Sequence, residues 1–199
     1  MADSSGIDAG QRYEPSEEHL VYETPWLDFY YDDITHPTGD SGKYAWIRSR
    51  SGLGAVMTIP VTPSEKYLLI KVYRHPSKRH LWEFPAGVME QGESPVESGR
   101  RELIKETGVT PTEVKLLGSQ IPVAGFVGHV FHSLVAEIPE INLDDVTLQS
   151  EEGIVDVCLL SRNELINLFN TEEVGEGVTL TCLAHYWMWQ ERKRSNGEA

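Results

Sequence analysis

Between Ser94 and Gly108 the chain carries both ends of a single helix, and this constrains the fold more than any other stretch. Ser94 is an N-cap residue, Pro95 takes the first helical position where its missing N–H costs nothing, and Glu97 completes a capping box. Gly108 suits the left-handed residue that closes a helix. The spacing predicts a helix over Pro95–Thr107, about three turns. Val96, Gly99 and Leu103 fall on one stripe that can pack on a sheet. Gly99 is costly in a helix, and close approach to a neighbouring backbone would account for it. Beside the stripe, Ser98, Glu102 and Glu106 recur four apart, so two carboxylates project from one side a turn apart.

Two readings of those carboxylates stand. Surface glutamate is common, and a solvated acidic face is the bland one. Alternatively, two carboxylates so placed repel unless a cation lies between them, and oxygen-only ligands suit a hard ion such as Mg²⁺ or Mn²⁺. The Pro85-Ala86-Gly87 turn favours the second, because it sets constrained backbone with exposed carbonyls beside the helix. The glycines at 87 and 92 have the spacing of a phosphate-binding loop. Glu93, however, stands where such a loop needs lysine, and no long buried strand precedes it, so that reading is rejected.

Around this helix, strands are predicted near Ala55–Val61, Tyr67–Tyr73, His80–Phe84, Glu113–Ser119, His129–Glu137 and Ile154–Leu160. Further helices are predicted over Arg162–Asn170, behind a Ser161/Glu164 capping box, and Leu180–Arg192. Helices and strands mix without regular βαβ alternation, which points to an α+β fold: an α/β/α sandwich on a mixed sheet. Residues 1–17 read as a disordered lead-in. Residues 18–52 read as an aromatic antiparallel sheet, broken by a turn cluster over 36–42, whose open face needs a partner. The main domain is expected over 53–194, with a tail at 195–199.

A formal net charge of −14 argues against a nucleic-acid partner, which would need a basic surface. The run Arg192-Lys193-Arg194 reads as a complement to the dipole of the last helix. Cys158 and Cys182 fit no disulfide framework and suit a reducing compartment. No stretch is apolar enough to span a membrane and no signal-peptide core precedes the domain, so a cytoplasmic protein without a membrane partner is expected. His129 and His132 would point to opposite faces of a strand and are not read as metal ligands.

The stretch Trp82–Val109 closely resembles the Nudix box, through Gly87, Glu93, Arg101, Glu102, Leu103, Glu106, Gly108 and Val109. Over residues 20–190 the chain is similar to the ADP-ribose pyrophosphatase branch, through Val72-Tyr73-Arg74, Trp82-Glu83-Phe84-Pro85-Ala86-Gly87 and the aromatic N-terminal sheet. The resemblance implies a Nudix fold and hydrolysis of a nucleoside diphosphate compound, with ADP-ribose giving AMP and ribose 5-phosphate. It implies Glu102, Glu106 and the Ala86 carbonyl as metal ligands. Glu93 and Arg101 would pair structurally beside Gly87 and Gly108. Arg74 would touch phosphate, and Trp82 would either stack on substrate or fill the core. Glu151 or Glu152 would be a catalytic base, and the N-terminal sheet would build a homodimer.

The match breaks at Lys105, where the box has glutamate. An ammonium cannot ligate a divalent metal and repels one. At three residues from Glu102 it can pair with that carboxylate, stand in for a lost cation, or simply complement the helix C-terminus. Ser98-Gly99 before Arg100, and Val123-Ala124-Gly125 in place of a Ser-Pro-Gly turn, also depart from the pattern. Three activities follow: ADP-ribose hydrolysis, hydrolysis of another nucleotide diphosphate, or nucleotide binding with weak or absent turnover.

Overall fold

The computed structural model describes residues 14–15, 17–36, 38–170 and 176–197. The chain divides into two compact units, with Val123–His129 grouped with the residues up to Gly52, and the rest from Leu53 onward forming the second.

The first unit is an antiparallel sheet. Strands β3 (Leu27–Thr35) and β4 (Ser41–Ser49) pair in register from Leu27↔Ser49 to Thr35↔Ser41, and β1 (Glu14–Pro15) and β2 (Leu20–Glu23) also pair with β3. The connecting turn closes through His36 N–H donating to Asp40 O at 2.8 Å, with Gly39 at φ 90°. Tyr30 and Trp46 stack at 4.2 Å, the Arg48 guanidinium lies over both rings, and the Trp46 indole N–H donates to Asp32. Val123–His129 attaches to β4: Ile47 N–H donates to Phe126 O at 2.9 Å, and Gly128 N–H donates to Ile47 O at 2.8 Å. A β-carbon at Gly128 would lie 2.7 Å from Trp46, so this approach requires glycine. Of the lead-in expected over 1–17, Glu14–Pro15 is a strand, whereas residues 1–13 and 16 lie outside the described residues.

The second unit is built on a mixed seven-stranded sheet, in the order β11 (Ile154–Leu160), β6 (Tyr67–Arg74), β5 (Ala55–Val61), β10 (Phe131–Glu137), β9 (Glu113–Gln120). Strands β5 and β6 share only the pair Val61↔Tyr67. Beyond it β6 takes β7 (Arg79–Glu83) and β5 takes β8 (Ala86–Val88), both antiparallel. The parallel β5–β10 pair makes the sheet mixed.

Alternation along the strands feeds two cores, as a period of two requires. Helix α1 (Pro95–Thr107) covers one face, where Leu103 packs with Val56, Leu68, Leu134 and Ala136. Helices α2 (Arg162–Phe169) and α3 (Gly177–Ser195) cover the other, where Leu165, Cys182 and Leu183 pack with Met57, Ile59, Leu69 and Phe84. This is the α/β/α sandwich expected. Side chains such as Leu103 and Phe84, fully buried, contribute roughly 1.5–3 kcal/mol each.

Several boundaries move. Helix α3 runs Gly177–Ser195 rather than Leu180–Arg192, because the Glu176 side chain caps it by accepting from Thr179 N–H at 2.7 Å. Arg192, Lys193 and Arg194 do occupy its last turn. Strand β10 starts at Phe131, two residues after the expected start at His129. Strand β8 was not anticipated, since three residues carry too little pattern to read. Gly99 faces side chains and not the neighbouring backbone: its β-carbon would stand 2.7 Å from Thr58 Oγ1 and 3.2 Å from Leu134 Cδ1.

Candidate active site

Helix α1 begins and ends on its own local signals. The Ser94 side chain accepts from Glu97 N–H, the Glu97 carboxylate accepts from Ser94 N–H at 2.8 Å, and Gly108 closes the helix at φ 72°. Helix phase then sets the chemistry: Ser98, Glu102 and Glu106 are all buried on the side facing β8. Glu106 accepts from Ala86 N–H at 3.1 Å. Gly87 packs on the Glu102 carboxyl group, which a β-carbon would overlap. The Ala86-Gly87 backbone and the two glutamates thus meet as one group.

Arg101 fixes the loop before the helix. Its Nε and Nη2 donate to Glu93 at 2.6 and 2.9 Å, and Nη2 also donates to Val88 O at 3.1 Å. The bidentate pair holds the Glu93 carboxyl down at about 2 and raises the Arg101 guanidinium. Arg101 also pairs with Glu102, which its expected structural role did not include.

Glu106 is the opposite case. Burial pushes its carboxyl up to about 8; the Ala86 N–H pulls it down, while the nearby Glu102 and Glu152 carboxylates push it further up. A buried acid crowded by like charge is a place where a cation gains energy.

The loop before β11 is tied to the C-terminal end of α1. Thr147 N–H donates to Thr107 O at 3.1 Å and Gln149 N–H to Glu106 O at 3.4 Å, using carbonyls that a helix end leaves without partners. A short 3₁₀ turn, Ser150–Glu152, follows. It brings Glu152 to Lys105, whose Nζ lies 2.6 Å from Glu152 Oε1 and 3.5 Å from Glu102 Oε2. Lys105 therefore faces the carboxylates. Glu151, its neighbour in the turn, is exposed.

A cavity of about 500 Å³ opens on the β8 side, lined by Ala86 and Gly87 together with Arg74, Glu83, Met57 and Phe131. Arg74 Nε and Nη2 donate to Glu83 at 2.9 and 2.6 Å, and Glu83 is only 1% exposed. This pairing raises the Arg74 guanidinium, and burial raises the Glu83 carboxyl against the pull of Arg74. Trp82, one residue away and so on the opposite face of β7, packs against the core under the Lys71 ammonium and does not line the cavity. Glu102 and Glu106 do not line this cavity but contact the Ala86-Gly87 backbone that does.

Glu83 escaped the sequence reading. Its signal was a charged residue among apolar neighbours in Trp82–Ala86, legible only once alternation places it inward. His129 and His132 form no site: His129 Nδ1 accepts from Ser49 N–H at 3.2 Å, and His132 Nδ1 lies 2.8 Å from Ser119 Oγ. Cys158 and Cys182 are free thiols, both pushed up to about 12 by burial. Among the described residues no group of three or more His, Cys, Asp or Glu is arranged to hold a metal ion. The buried Glu102 and Glu106 carboxylates are oxygen donors of the kind that suits a hard cation.

The model of the NUDIX domain matches residues 53–181. The chain is 29% identical over 159 residues to the ADP-ribose pyrophosphatase of Bacillus subtilis (strain 168), covering 80% of this chain and 84% of that one. It is 27% identical over 162 residues to the methanol dehydrogenase activator of Bacillus methanolicus, covering 81% and 85%. It is 34% identical over 114 residues to the ADP-sugar pyrophosphatase of Mus musculus, covering 53% and 52%. The crystal structure of an ADP compounds hydrolase shares the fold, with a TM-score of 0.75 at 19% identity over 97% of this chain and 100% of that one.

Proposed function

This chain belongs to the Nudix family and is a hydrolase of nucleoside diphosphate-linked compounds; from that premise we propose that its substrate is ADP-ribose, cleaved to AMP and ribose 5-phosphate with Mg²⁺ or Mn²⁺. The observation that carries this reading is the meeting of buried Glu102 and Glu106 with the Ala86-Gly87 backbone, at the wall of a cavity that also holds Arg74. The similarity to a bacterial ADP-ribose pyrophosphatase and a mouse ADP-sugar pyrophosphatase supports the substrate class.

Nudix hydrolases generally use divalent metal. Here Glu102, Glu106 and the Ala86 carbonyl would hold it. Such a metal would supply charge neutralisation of the diphosphate and activation of water. The chain's own residues do the rest. Gly87 lets the Glu102 carboxylate lie against the backbone. Glu93 and Arg101 hold the loop in place, a structural task. Arg74, oriented by Glu83, presents a guanidinium into the cavity, suited to phosphate oxygens. Of the two acidic residues before β11, Glu152 is the one held at the α1 carboxylates and the better candidate for the base.

The exposed Leu20, Val21, Tyr22 and Trp26 of the first unit favour a homodimer through that sheet; a monomeric full-length chain in sedimentation would refute it. The net charge of −14 opposes nucleic acid as a partner. Among the described residues no helix is long and apolar enough to cross a membrane. A cytoplasmic location belongs to the same reading.

The test is hydrolysis of ADP-ribose against a panel of nucleoside diphosphate sugars, dinucleotides and nucleoside triphosphates, with Mg²⁺ or Mn²⁺ and with chelator. Metal-dependent release of AMP and ribose 5-phosphate is expected. Preference for another compound would overturn the substrate. The Lys105–Glu102 pairing favours one second reading, a nucleotide-binding module with little turnover. In that case the native chain binds ADP-ribose without cleaving it, and Lys105→Glu creates activity.

A further inference from the structure

We propose that the Lys105 ammonium is a fixed cation built into the carboxylate cluster, standing where the cluster would otherwise take up a further divalent ion. The inference rests on the reading of Glu102 and Glu106 as metal ligands.

One positive charge joins carboxylates from two separate segments. Lys105 Nζ is 2.6 Å from Glu152 on the loop before β11 and 3.5 Å from Glu102 on α1. The loop is also tied to α1 through the backbone at Thr147 and Gln149, so the two carboxylates are held near each other by more than the lysine.

Charge balance gives the lysine its role. Lys105 bridges Glu102 and Glu152, and Glu106, one turn along α1 from Glu102, is buried with it. The other cation present, Arg101, is bound in bidentate fashion to Glu93 and also pairs with Glu102 through Nη1, so its charge is divided between the two. Without Lys105, Glu152 would lose this partner and Glu102 would keep an Arg101 that is shared with Glu93. Carboxylates left with less counter-charge attract a cation more strongly, and oxygen donors suit a hard divalent one. A lysine ammonium is compact and can serve two carboxylates at once. Unlike a metal, it is not removed by chelators.

The experiment is Mn²⁺ titration of the full-length protein without nucleotide, with free Mn²⁺ read by electron paramagnetic resonance. Native chain is compared with Lys105→Met, Lys105→Gln, Lys105→Glu and Lys105→Arg. Lys105→Arg should match the native chain. Lys105→Glu should take up one further Mn²⁺ per chain. Lys105→Met and Lys105→Gln should bind Mn²⁺ roughly tenfold more tightly, because a nearby positive charge has gone. Melting temperatures supply a second readout: Lys105→Met should fall in chelator and recover with Mn²⁺. Equal drops with and without Mn²⁺ would make Lys105 merely structural and overturn the inference. So would unchanged Mn²⁺ binding in every variant while the native chain binds the ion. Absence of Mn²⁺ binding in all chains would bring down the metal-site reading as well. Failure to hydrolyse ADP-ribose, by contrast, leaves the titration unaffected.

Discussion

Gly87 is packed directly on the side chain of Glu102: a β-carbon at position 87 would overlap the carboxyl carbon and Oε1 and lie 2.6 Å from Cγ. The glycine is therefore required by proximity between the turn and the helix and not by its backbone angles. Gly87→Ala should leave the circular dichroism spectrum native while lowering metal-dependent turnover about a hundredfold, since displacing a reacting group by about an ångström costs that much. Native rates in the variant would show that Glu102 is not held for the reaction.

Glu106→Gln should abolish metal-dependent hydrolysis, and Glu102→Gln should reduce it severely. Both side chains are buried, and glutamine preserves their size, so the folded state should persist. Steady-state rates with Mg²⁺ or Mn²⁺ decide this. Unchanged rates in folded variants would remove both residues from the site.

Arg74→Ala leaves Glu83 buried without its bidentate partner, at a cost of about 1–3 kcal/mol in denaturant unfolding. The loss should depend on pH. Burial already raises the folded Glu83 pKa above its ordinary 4.5, and without the lowering pull of Arg74 it rises further. The folded variant then holds a proton that the unfolded chain has released. Its stability should fall as pH climbs from the ordinary carboxylate range through the raised value. A pH-independent loss would mean that Glu83 stays ionised.

Glu93 carries the opposite sign. Its folded pKa of about 2 lies below the ordinary 4.5, so its contribution is complete above 4.5 and disappears as pH falls towards about 2. Glu93→Gln should cost about 1 kcal/mol at neutral pH, the low end for a charged hydrogen-bonded pair because Arg101 is partly solvated. The gap between native and variant melting temperatures should close on acidification. A constant gap would assign the effect to packing.

What the sequence determined by itself was local. Ser94, Pro95, Glu97 and Gly108 set the ends of α1 within the helix they bound, because caps act over three or four residues. Once α1 is a helix, its periodicity alone puts Glu102 and Glu106 on one face. The mixture of strands and helices without regular βαβ order likewise made the sandwich legible.

What only the tertiary structure decided were meetings between segments distant in the chain. Nothing near Lys105 names Glu152 as its partner; the loop before β11 delivers it. Nothing near Glu83 says that its charge is answered by Arg74 across the β6–β7 pair. The attachment of Val123–His129 to β4, and the contact of Lys105 with Glu152, depend in the same way on how separate segments stack and turn. Sequence patterns encode short-range geometry, whereas the register between distant segments is settled by packing the whole chain at once.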